Sequence, residues 1–195
     1  MTTLDTPEQD AADAAKRSVQ AAQISLDALD ADAPDEPQVE LAYGVPVTTT
    51  DAGQLVLHPS REQLLDTVRA IRADGFLQLL DVIGVDYLTH PGRTLPHGVR
   101  PERFEVVTLY LDHASRRRIR MRVQVPGDEP TVASLFPIHP GAEAPEREAY
   151  DLFGIVFEGH PDMSRILLPD DWDGHPLRKD YAIGKIPVQF KGAPS

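Results

Sequence analysis

The ionisable side chains of this 195-residue chain are most concentrated near the C-terminus, in the stretch DDWDGHPLRKDY from Asp170 to Tyr181. Fifteen residues before His175, a second Gly-His-Pro sequence contains His160 and is followed by Asp162. Imidazole and carboxylate groups are common metal ligands, so a metal-dependent enzyme is one interpretation of this pattern. The spacing argues against it, because proline follows each histidine and the pairs do not fall at the helical offsets of strong metal-binding motifs.

Three carboxylates, Glu146, Glu148 and Asp151, lie near one another on a short predicted helix and suggest acid–base chemistry. Helix capping and dipole preferences produce the same residues without any catalysis. A nucleophilic mechanism has little support, because the chain has no cysteine and neither Ser134 nor Ser164 has a suggestive neighbour. The sequence also has no glycine-rich phosphate loop and no dinucleotide-binding fingerprint. The residues alone therefore favour a binding or scaffold protein over an enzyme.

Composition excludes several classes of protein and site. The lack of cysteine excludes disulfides and cysteine-held zinc or iron–sulfur clusters. No apolar run approaches the roughly 18 to 20 residues of a membrane span, and the acidic start lacks the features of signal and transit peptides. We therefore expect a protein made and kept in the cytosol. A net charge of −12 argues against nucleic-acid binding and against unaided adhesion to an anionic membrane.

Residues 1–40 are predicted to form an acidic helical extension and linker, because they carry ten acidic and two basic side chains. Thr6 and Gln9 have capping-box spacing before an Ala-rich stretch, which predicts a helix. A solvated helix and a helix that docks on a partner are both compatible with this pattern. The predicted helix has a narrow apolar stripe of Ala15, Val19, Ala22, Leu26 and Leu29.

Residues 41–154 are predicted to form one α+β domain, in which a small mixed or antiparallel sheet packs with helices. A capping box at Ser60 and Gln63, an apolar face and a following glycine predict its first helix. The stretch FLQLLDVIGVDYL predicts a strand or mixed segment. Two β-rich runs at 103–112 and 118–125 predict a hairpin, because a short polar turn joins them.

The second strand of this hairpin alternates between apolar residues and the arginines Arg118, Arg120 and Arg122. We expect the apolar face to pack on the core and the arginine face to meet solvent or an acidic surface. RNA binding is disfavoured by the acidic chain and by the lack of aromatic side chains among the arginines.

Two further helices are predicted before residue 155. The stretch DEPTVASLFP predicts a short helix with acidic residues at its start. The stretch APEREAYDLFG predicts another, with proline in its first turn and Gly154 as its stop. Arg147 and Asp151 are four residues apart on this helix, so we expect them to pair along one face.

Residues 155–195 are predicted to form an extended tail that binds a partner. No helical or strand period is sustained there, and proline or glycine recurs every few residues. Such a segment buries too little apolar area to offset its own chain entropy. It is nevertheless too rich in large apolar residues for a disordered tail. We therefore expect it to become ordered along another subunit, with Trp172 as an apolar anchor.

The stretch from Glu146 to Tyr181 resembles the signature of the C subunit of proton-pumping NADH–quinone oxidoreductase, the thirty-kilodalton-type subunit of respiratory complex I. Ordered elements carry the resemblance, among them Glu-Arg-Glu, Asp-Leu-Phe-Gly-Ile, Arg-Ile-Leu, Pro-Asp-Asp-Trp and Gly-His-Pro-Leu-Arg-Lys-Asp-Tyr. Weaker similarity extends upstream to about Leu55. The signature residues, which the resemblance assigns to a subunit interface, are Glu146, Arg147, Glu148, Asp151, His160, Asp162, Arg165, Asp170, Asp171, Trp172, His175, Arg178, Lys179, Asp180 and Tyr181.

The resemblance implies a hydrophilic α+β subunit with an extended C-terminal tail and with no cofactor, metal or catalytic residue of its own. FMN and iron–sulfur clusters are then expected in partner subunits, which carry electrons from NADH to quinone. The implied partners are the 49-kDa-type D subunit, whose surface the tail follows, and the B subunit with its neighbours. The implied location is the cytoplasmic side of the cell membrane, reached through the complex. Arg178, Lys179 and Asp180 are expected to pair with charges across the subunit boundary.

One alternative within the family stays open, because the same subunit type serves in related hydrogenases and in ferredoxin- or F420-linked complexes. The chain also departs from the family pattern at a few positions. The stretch PIHPGAEAP replaces the aromatic residue that usually precedes Glu-Arg-Glu. Ser164 stands where a basic residue is common, and Ala182 stands at a frequent proline position. We expect local contacts at these positions to differ from those of the family.

Overall fold

A six-stranded mixed sheet is the framework of the computed structural model, which describes residues 39–182 of the chain. Its strands are β1 (Leu41–Ala42), β2 (Val45–Thr49), β3 (Leu55–Leu57), β4 (Gln78–Asp86), β5 (Phe104–Asp112) and β6 (Arg117–Val125). They lie in the order β1-β2-β3-β6-β5-β4. Strands β3 and β6 run parallel, and all other neighbours in this sheet run antiparallel.

Two helices and a second sheet complete the described part of the chain. The helices are α1 (Leu64–Ala73) and α2 (Glu143–Phe153), and a 3₁₀ turn (Pro140–Ala142) precedes α2. The second sheet is a parallel pair of short strands, β7 (Thr131–Ala133) and β8 (Val156–Glu158). This architecture confirms the predicted α+β class. Within residues 39–182, neither helix has the length and apolar character needed to cross a membrane.

The predicted hairpin is confirmed as β5 and β6, and its alternation places every second residue in the core. Leu109 lies opposite Arg120 and Leu111 lies opposite Arg118 in the register of the two strands. We call the side of the sheet that packs on the helices the inner face and the opposite side the outer face. The inner-face residues of the hairpin are buried, and they include Phe104, Val106, Tyr110, Ile119, Met121, Val123 and Val125.

Helix α1 packs its apolar side into the same core. The predicted capping box is present, because the Ser60 N–H donates to Gln63 Oε1 at 3.1 Å and the Gln63 N–H donates to Ser60 Oγ at 3.3 Å. Gly75 follows the helix with φ at 99°, a conformation that glycine adopts without steric cost. The helix buries Leu64, Val68 and Ile71 among the inner-face residues of the sheet.

Helix α2 packs closely against strand β4, which is an edge strand of the large sheet. Gly84 makes this approach possible, since a Cβ atom at that position would lie 2.7 Å from Cδ2 of Phe153. Gly154 ends α2 in the left-handed conformation, with φ at 70° and ψ at 29°. Its N–H donates to the Tyr150 carbonyl at 2.8 Å, as expected for a glycine stop. The helix itself begins at Glu143, two residues before the proline used to predict it.

The helix predicted over DEPTVASLFP is wrong, because Thr131–Ala133 is strand β7. Val132 is buried and lies opposite Phe157 of strand β8 in the parallel pair. The acidic residues before it start no helix. A partner strand 25 residues further along the chain determines the structure here, and local sequence preference does not record such a partner.

The predicted boundary at residue 154 also differs from the structure. Ile155 and Phe157 belong to the same core cluster as the sheet and helices, so the compact part continues past Gly154. A strand is present at Val156–Glu158, although the sequence shows no strand period there. A strand of three residues is too short to show a detectable alternation of apolar and polar side chains. The predicted N-terminal helix and its stripe from Ala15 to Leu29 lie outside the described residues.

Candidate subunit interface on the C-terminal segment

The C-terminal segment, defined here as residues 160–181, is fastened to helix α2 through Asp151. Arg165 Nη1 donates to Asp151 Oδ1 at 2.6 Å. The backbone N–H groups of three successive residues donate to Asp151 Oδ2, at 3.1 Å from Ile166, 2.8 Å from Leu167 and 2.9 Å from Leu168. The Asp151 side chain is fully buried. One carboxylate therefore fixes the conformation of a whole turn of the segment.

Arg165 extends this connection further along the segment. Its Nη2 atom donates to the carbonyl oxygens of Trp172 at 2.9 Å and Gly174 at 3.0 Å. The guanidinium thus joins the acidic residue on α2 to a loop seven to nine residues downstream. Trp172 is half-buried, and its Nε1 atom is buried with no hydrogen-bond partner among residues 39–182.

The pKa of Asp151 is lowered even though burial alone would raise it. The N–H groups of residues 166 to 168 and the Arg165 guanidinium all favour the ionised carboxylate, and together they outweigh its desolvation. The ionised form of Asp151 is therefore stabilised by folding.

We expect the pH dependence of stability to report this effect. A carboxyl whose pKa is lowered on folding contributes its full stability above its unfolded pKa, about 3.9 for aspartate. The contribution is lost as the pH falls through the lower folded pKa. The free energy of unfolding of Asp151→Asn should therefore vary less with pH below about pH 4 than that of the unmodified chain. Urea denaturation of both proteins across this pH range measures the difference, and parallel pH profiles would contradict it.

Arg147 bonds to the segment and not to Asp151, so the predicted pairing of these two residues along α2 is wrong. Its Nη2 atom donates to Ser164 Oγ at 2.8 Å and to the Arg165 carbonyl at 2.9 Å, while Nε donates to the Ser164 carbonyl at 3.2 Å. Asp162 lies 4.0 Å from the same guanidinium. Arg165 replaces Arg147 as the partner of Asp151, because the chain returns to α2 within hydrogen-bond distance there.

The C-terminal end of α2 is closed by two further signature residues. His175 Nδ1 donates to the Asp151 carbonyl at 2.9 Å, and Arg178 Nε donates to the Phe153 carbonyl at 2.5 Å. The Leu177 N–H donates to the Leu152 carbonyl at 3.0 Å. These donors satisfy carbonyl groups that a helix end leaves without intrahelical partners. Burial lowers the pKa of His175, with the nearby arginines acting in the same direction, which favours a neutral imidazole.

The end of the segment is held at the edge strand β4. Arg103 binds the buried Asp86 carboxylate through Nε at 3.2 Å and Nη2 at 3.0 Å, and Nη2 also donates to Asp180 Oδ1 at 2.8 Å. The Lys179 N–H donates to Asp86 Oδ2 at 2.9 Å. Arg178 and Asp180, expected to pair across a subunit boundary, are therefore engaged within the chain. Sequence reasoning missed Asp86 and Arg103. Their only signal is position, because Asp86 is the last residue of β4 and Arg103 immediately precedes β5.

The three carboxylates considered for acid–base catalysis have three different environments. Glu146 is fully buried and accepts from Ser134 Oγ and from the Leu135 N–H, both at 2.6 Å. Burial raises its pKa. Glu148 is exposed, and Asp151 faces the C-terminal segment. The helix therefore directs each carboxylate to a separate environment.

The histidines considered as metal ligands use their ring nitrogens elsewhere. His160 Nε2 donates to the Glu143 carbonyl at 3.0 Å, and its Nδ1 accepts from the Asp162 N–H at 3.1 Å. Asp170 and Asp171 are exposed. Among residues 39–182, no group of three histidine or acidic side chains is arranged to hold a metal ion.

Three large apolar side chains of the segment face outward. Ile166 is 39% exposed, Leu167 is 59% exposed and Leu177 is 47% exposed. Ile166 and Leu167 belong to the turn whose N–H groups bind Asp151. The hydrogen bonds to Asp151 therefore hold an apolar pair of side chains in an exposed position. The run Ile-Leu-Leu-Pro is the signal for these residues, but sequence alone does not indicate which side chains point outward.

A family model described as the 30-kDa subunit of respiratory-chain NADH dehydrogenase matches residues 57–186. The NADH-quinone oxidoreductase C subunit of Saccharopolyspora erythraea is 44% identical over 155 residues, which cover 78% of this chain and 59% of that protein. The same-named protein from Acidothermus cellulolyticus is 42% identical over 149 residues, which cover 75% and 73% respectively. The chain thus spans about three fifths of the length of the first of these relatives.

Two solved structures are similar to this chain. A trypsin-resistant fragment of Nqo5 has a TM-score of 0.55 and 38% identity, and the match covers 61% of this chain and 89% of the fragment. A chain from the membrane-bound sulfane sulfur reductase, an archaeal respiratory membrane complex, has a TM-score of 0.61 and 19% identity. That match covers 90% of this chain and 96% of the archaeal one, and at this identity it establishes the fold alone.

Proposed function

Because the chain belongs to the family of the 30-kDa subunit of respiratory-chain NADH dehydrogenase, we propose that it is a non-catalytic structural subunit of a proton-translocating NADH–quinone oxidoreductase. In this proposal, FMN and iron–sulfur clusters of other subunits carry electrons from NADH to quinone. The chain itself holds no cofactor and lies in the peripheral part of the complex, on the cytoplasmic side of the membrane.

The engagement of the signature residues supports a structural role. A group that transfers protons to a substrate must come within hydrogen-bond reach of it. The two oxygens of Asp151 instead accept from Arg165 and from three backbone N–H groups, and they are buried. Arg147 and His175 likewise donate to backbone carbonyl groups. Each of these polar groups holds the C-terminal segment on the domain.

The observation that carries the proposal is the outward direction of Ile166 and Leu167 on a turn that Asp151 fixes. Exposed apolar side chains of this size mark sites of protein association when they lie together. Because the turn is already ordered in the chain, little conformational entropy is lost when a partner binds it. We propose that this turn inserts into an apolar surface of the 49-kDa-type D subunit, with the B subunit and its neighbours as further partners.

Leu167→Asp is expected to reduce the recovery of partner subunits with the tagged full-length chain by about tenfold, equivalent to about 1.4 kcal/mol of binding free energy. The aspartate would place a charge in an apolar interface without a partner for it. Affinity purification from cells that make the complex, followed by quantitative mass spectrometry, measures the recovery.

Leu77→Asp is the matched control, because Leu77 is also a leucine and is 62% exposed but lies outside the C-terminal segment. It should leave the recovery of partners unchanged, and neither variant should alter the urea midpoint of the purified chain. Equal recovery with Leu167→Asp and with Leu77→Asp would overturn the proposed docking turn.

The same purification separates this function from its alternatives. Recovery of hydrogenase subunits, or of ferredoxin- or F420-linked subunits, would assign the chain to one of those related complexes. Flavin fluorescence and iron analysis of the purified chain test the expectation that it carries no cofactor. Stoichiometric metal bound to the chain alone would instead favour a metal-dependent enzyme.

A further inference from the structure

The outer face of the large sheet carries two adjacent columns of side chains outside the core. Val107, Leu109 and Leu111 of β5 form an apolar column, and all three are half-buried. Opposite them in register, Arg122, Arg120 and Arg118 of β6 form a cationic column. The core cluster draws on the inner-face residues of both strands and on both helices, and it includes none of these six side chains.

One end of the outer face has its charges satisfied within the chain. Arg122 Nε donates to the fully buried Glu105 carboxylate at 2.7 Å. Gln124 also donates to this carboxylate, and Arg93 lies 4.0 Å from it. The Arg93 guanidinium stacks on the Tyr87 ring, 3.8 Å from its centroid. The loop that follows β4 therefore covers this end, where Arg122 is hydrogen-bonded to the Glu105 carboxylate and Arg93 lies within ion-pair distance of it.

The other end of the outer face, which we call the Arg118–Arg120 surface, remains open. It consists of Leu109, Leu111, Arg118 and Arg120, with the 40% exposed Ile83 beside Val107. Within residues 39–182, neither Arg118 nor Arg120 forms an ion pair. The Nε atom of Arg120 is buried and has no hydrogen-bond partner there. A buried donor without an acceptor is destabilising, so the described residues leave Arg120 incompletely paired.

Arg117, between these positions and the turn, shows how a paired arginine is held in the same strand. It donates to Asp74 Oδ2 at 3.1 Å and to Asp112 Oδ2 at 3.1 Å. Acidic side chains are abundant in a chain with a net charge of −12, yet none of those described pairs with Arg118 or Arg120. Within residues 39–182, the charges of Arg118 and Arg120 are therefore not neutralised by an acidic side chain.

The chemistry of this surface selects the class of ligand. Residues two apart on a strand project side chains about 7 Å apart, so Arg118 and Arg120 match two carboxylates at that separation. The adjoining leucines require apolar side chains from the same ligand. Nucleic acid fits poorly, because the surface offers two cations and no aromatic platform. An anionic membrane fits poorly because the chain as a whole is strongly acidic.

We propose that the Arg118–Arg120 surface binds an acidic, amphipathic segment of another protein. Carboxylates of that segment pair with the guanidinium groups of Arg118 and Arg120. Apolar side chains of the segment cover Leu109 and Leu111. The proposal uses no residue of the C-terminal segment, so it is tested separately from the docking turn.

Site-specific photocrosslinking in the cells that make the protein tests this surface. The photoreactive amino acid p-benzoylphenylalanine replaces Leu111 in the tagged full-length chain, and mass spectrometry identifies the crosslinked partner peptide. We expect a peptide in which acidic residues outnumber basic ones. The crosslink yield should fall by about fivefold or more in Arg118→Glu/Arg120→Glu, because charge reversal replaces attraction with repulsion. It should persist in Arg118→Lys/Arg120→Lys.

Arg69→Glu/Arg100→Glu is the matched control, since both arginines are exposed and the net charge changes equally. Its yield should stay close to that of the unmodified chain. The proposal is overturned if Leu111 crosslinks only to lipid, to nucleic acid or to a second copy of this chain, or if it forms no crosslink. An equal loss of yield in both charge-reversal variants would also overturn it.

Discussion

Replacing Asp151 with alanine is expected to lower the free energy of unfolding of the full-length chain by about 3–5 kcal/mol, the usual cost of removing one partner from a buried ion pair. The Arg165 guanidinium and the N–H groups of Ile166, Leu167 and Leu168 all lose their acceptor in this variant. Urea denaturation measures the global effect. Amide hydrogen exchange at residues 166 to 168 should become faster, since it reports the release of the turn itself.

Asp66→Ala is the control for this prediction, because Asp66 also pairs with an arginine but its side chain is 85% exposed. Exposed pairs contribute about 0–1 kcal/mol, so this variant should unfold close to the unmodified chain. Unchanged protection of the three amides in Asp151→Ala would mean that the turn is held by other contacts. Because both aspartates pair with an arginine and only Asp151 is buried, the difference between the two variants measures the effect of burial on the free energy of unfolding.

Gly154→Ala is the second substitution with a large expected effect, a loss of about 2–5 kcal/mol in the free energy of unfolding. A left-handed backbone at a residue with a Cβ atom costs about 1–2 kcal/mol, and overpacking adds about 1–3 kcal/mol. The added Cβ would lie 2.6 Å from Arg178 Nη2 and from two ring atoms of His175. Those side chains can move away only by giving up their hydrogen bonds to the end of α2.

Gly159→Ala isolates the backbone part of this loss. Gly159 has φ at 83°, and a Cβ atom there would meet nothing within 4 Å. We expect Gly159→Ala to lower the free energy of unfolding by about 1–2 kcal/mol, the cost of the left-handed backbone alone. Urea denaturation of both variants gives the comparison. If both lose the same free energy, the packing of Arg178 and His175 over Gly154 contributes nothing.

Features that depend on neighbouring residues were predictable from the sequence. The capping box at Ser60 and Gln63 needs residues three apart, and the glycine stop at Gly154 needs only the end of a helical pattern. The β5–β6 hairpin joins strands that adjoin along the chain, so its alternation determined both the pairing and the buried side. These elements account for the correct α+β class.

Features that depend on distant residues were not predictable in the same way. Strand β7 pairs with Val156–Glu158, and its own three residues are too few to show a strand period. Four-residue spacing on a helix predicts a pair between Asp151 and Arg147, because that rule considers only local neighbours. The actual partner, Arg165, reaches it only after the chain leaves the core and returns. The family signature includes Asp151 and Arg165 but does not indicate that they bind each other, and it omits Asp86 and Arg103.

Because the C-terminal segment is held by Asp151, it can take its final position only after helix α2 has been synthesised. Synthesis proceeds from the N-terminus, so α2 and its acidic residue leave the ribosome before residues 165 to 168 that bind to it. Ile166 and Leu167 therefore take their outward positions only after the sheet and α2 have been made. Partner subunits that bind this turn would select finished copies over nascent or truncated ones. Under the proposed docking of this turn, the Asp151 carboxylate links completion of the domain to the binding of partners.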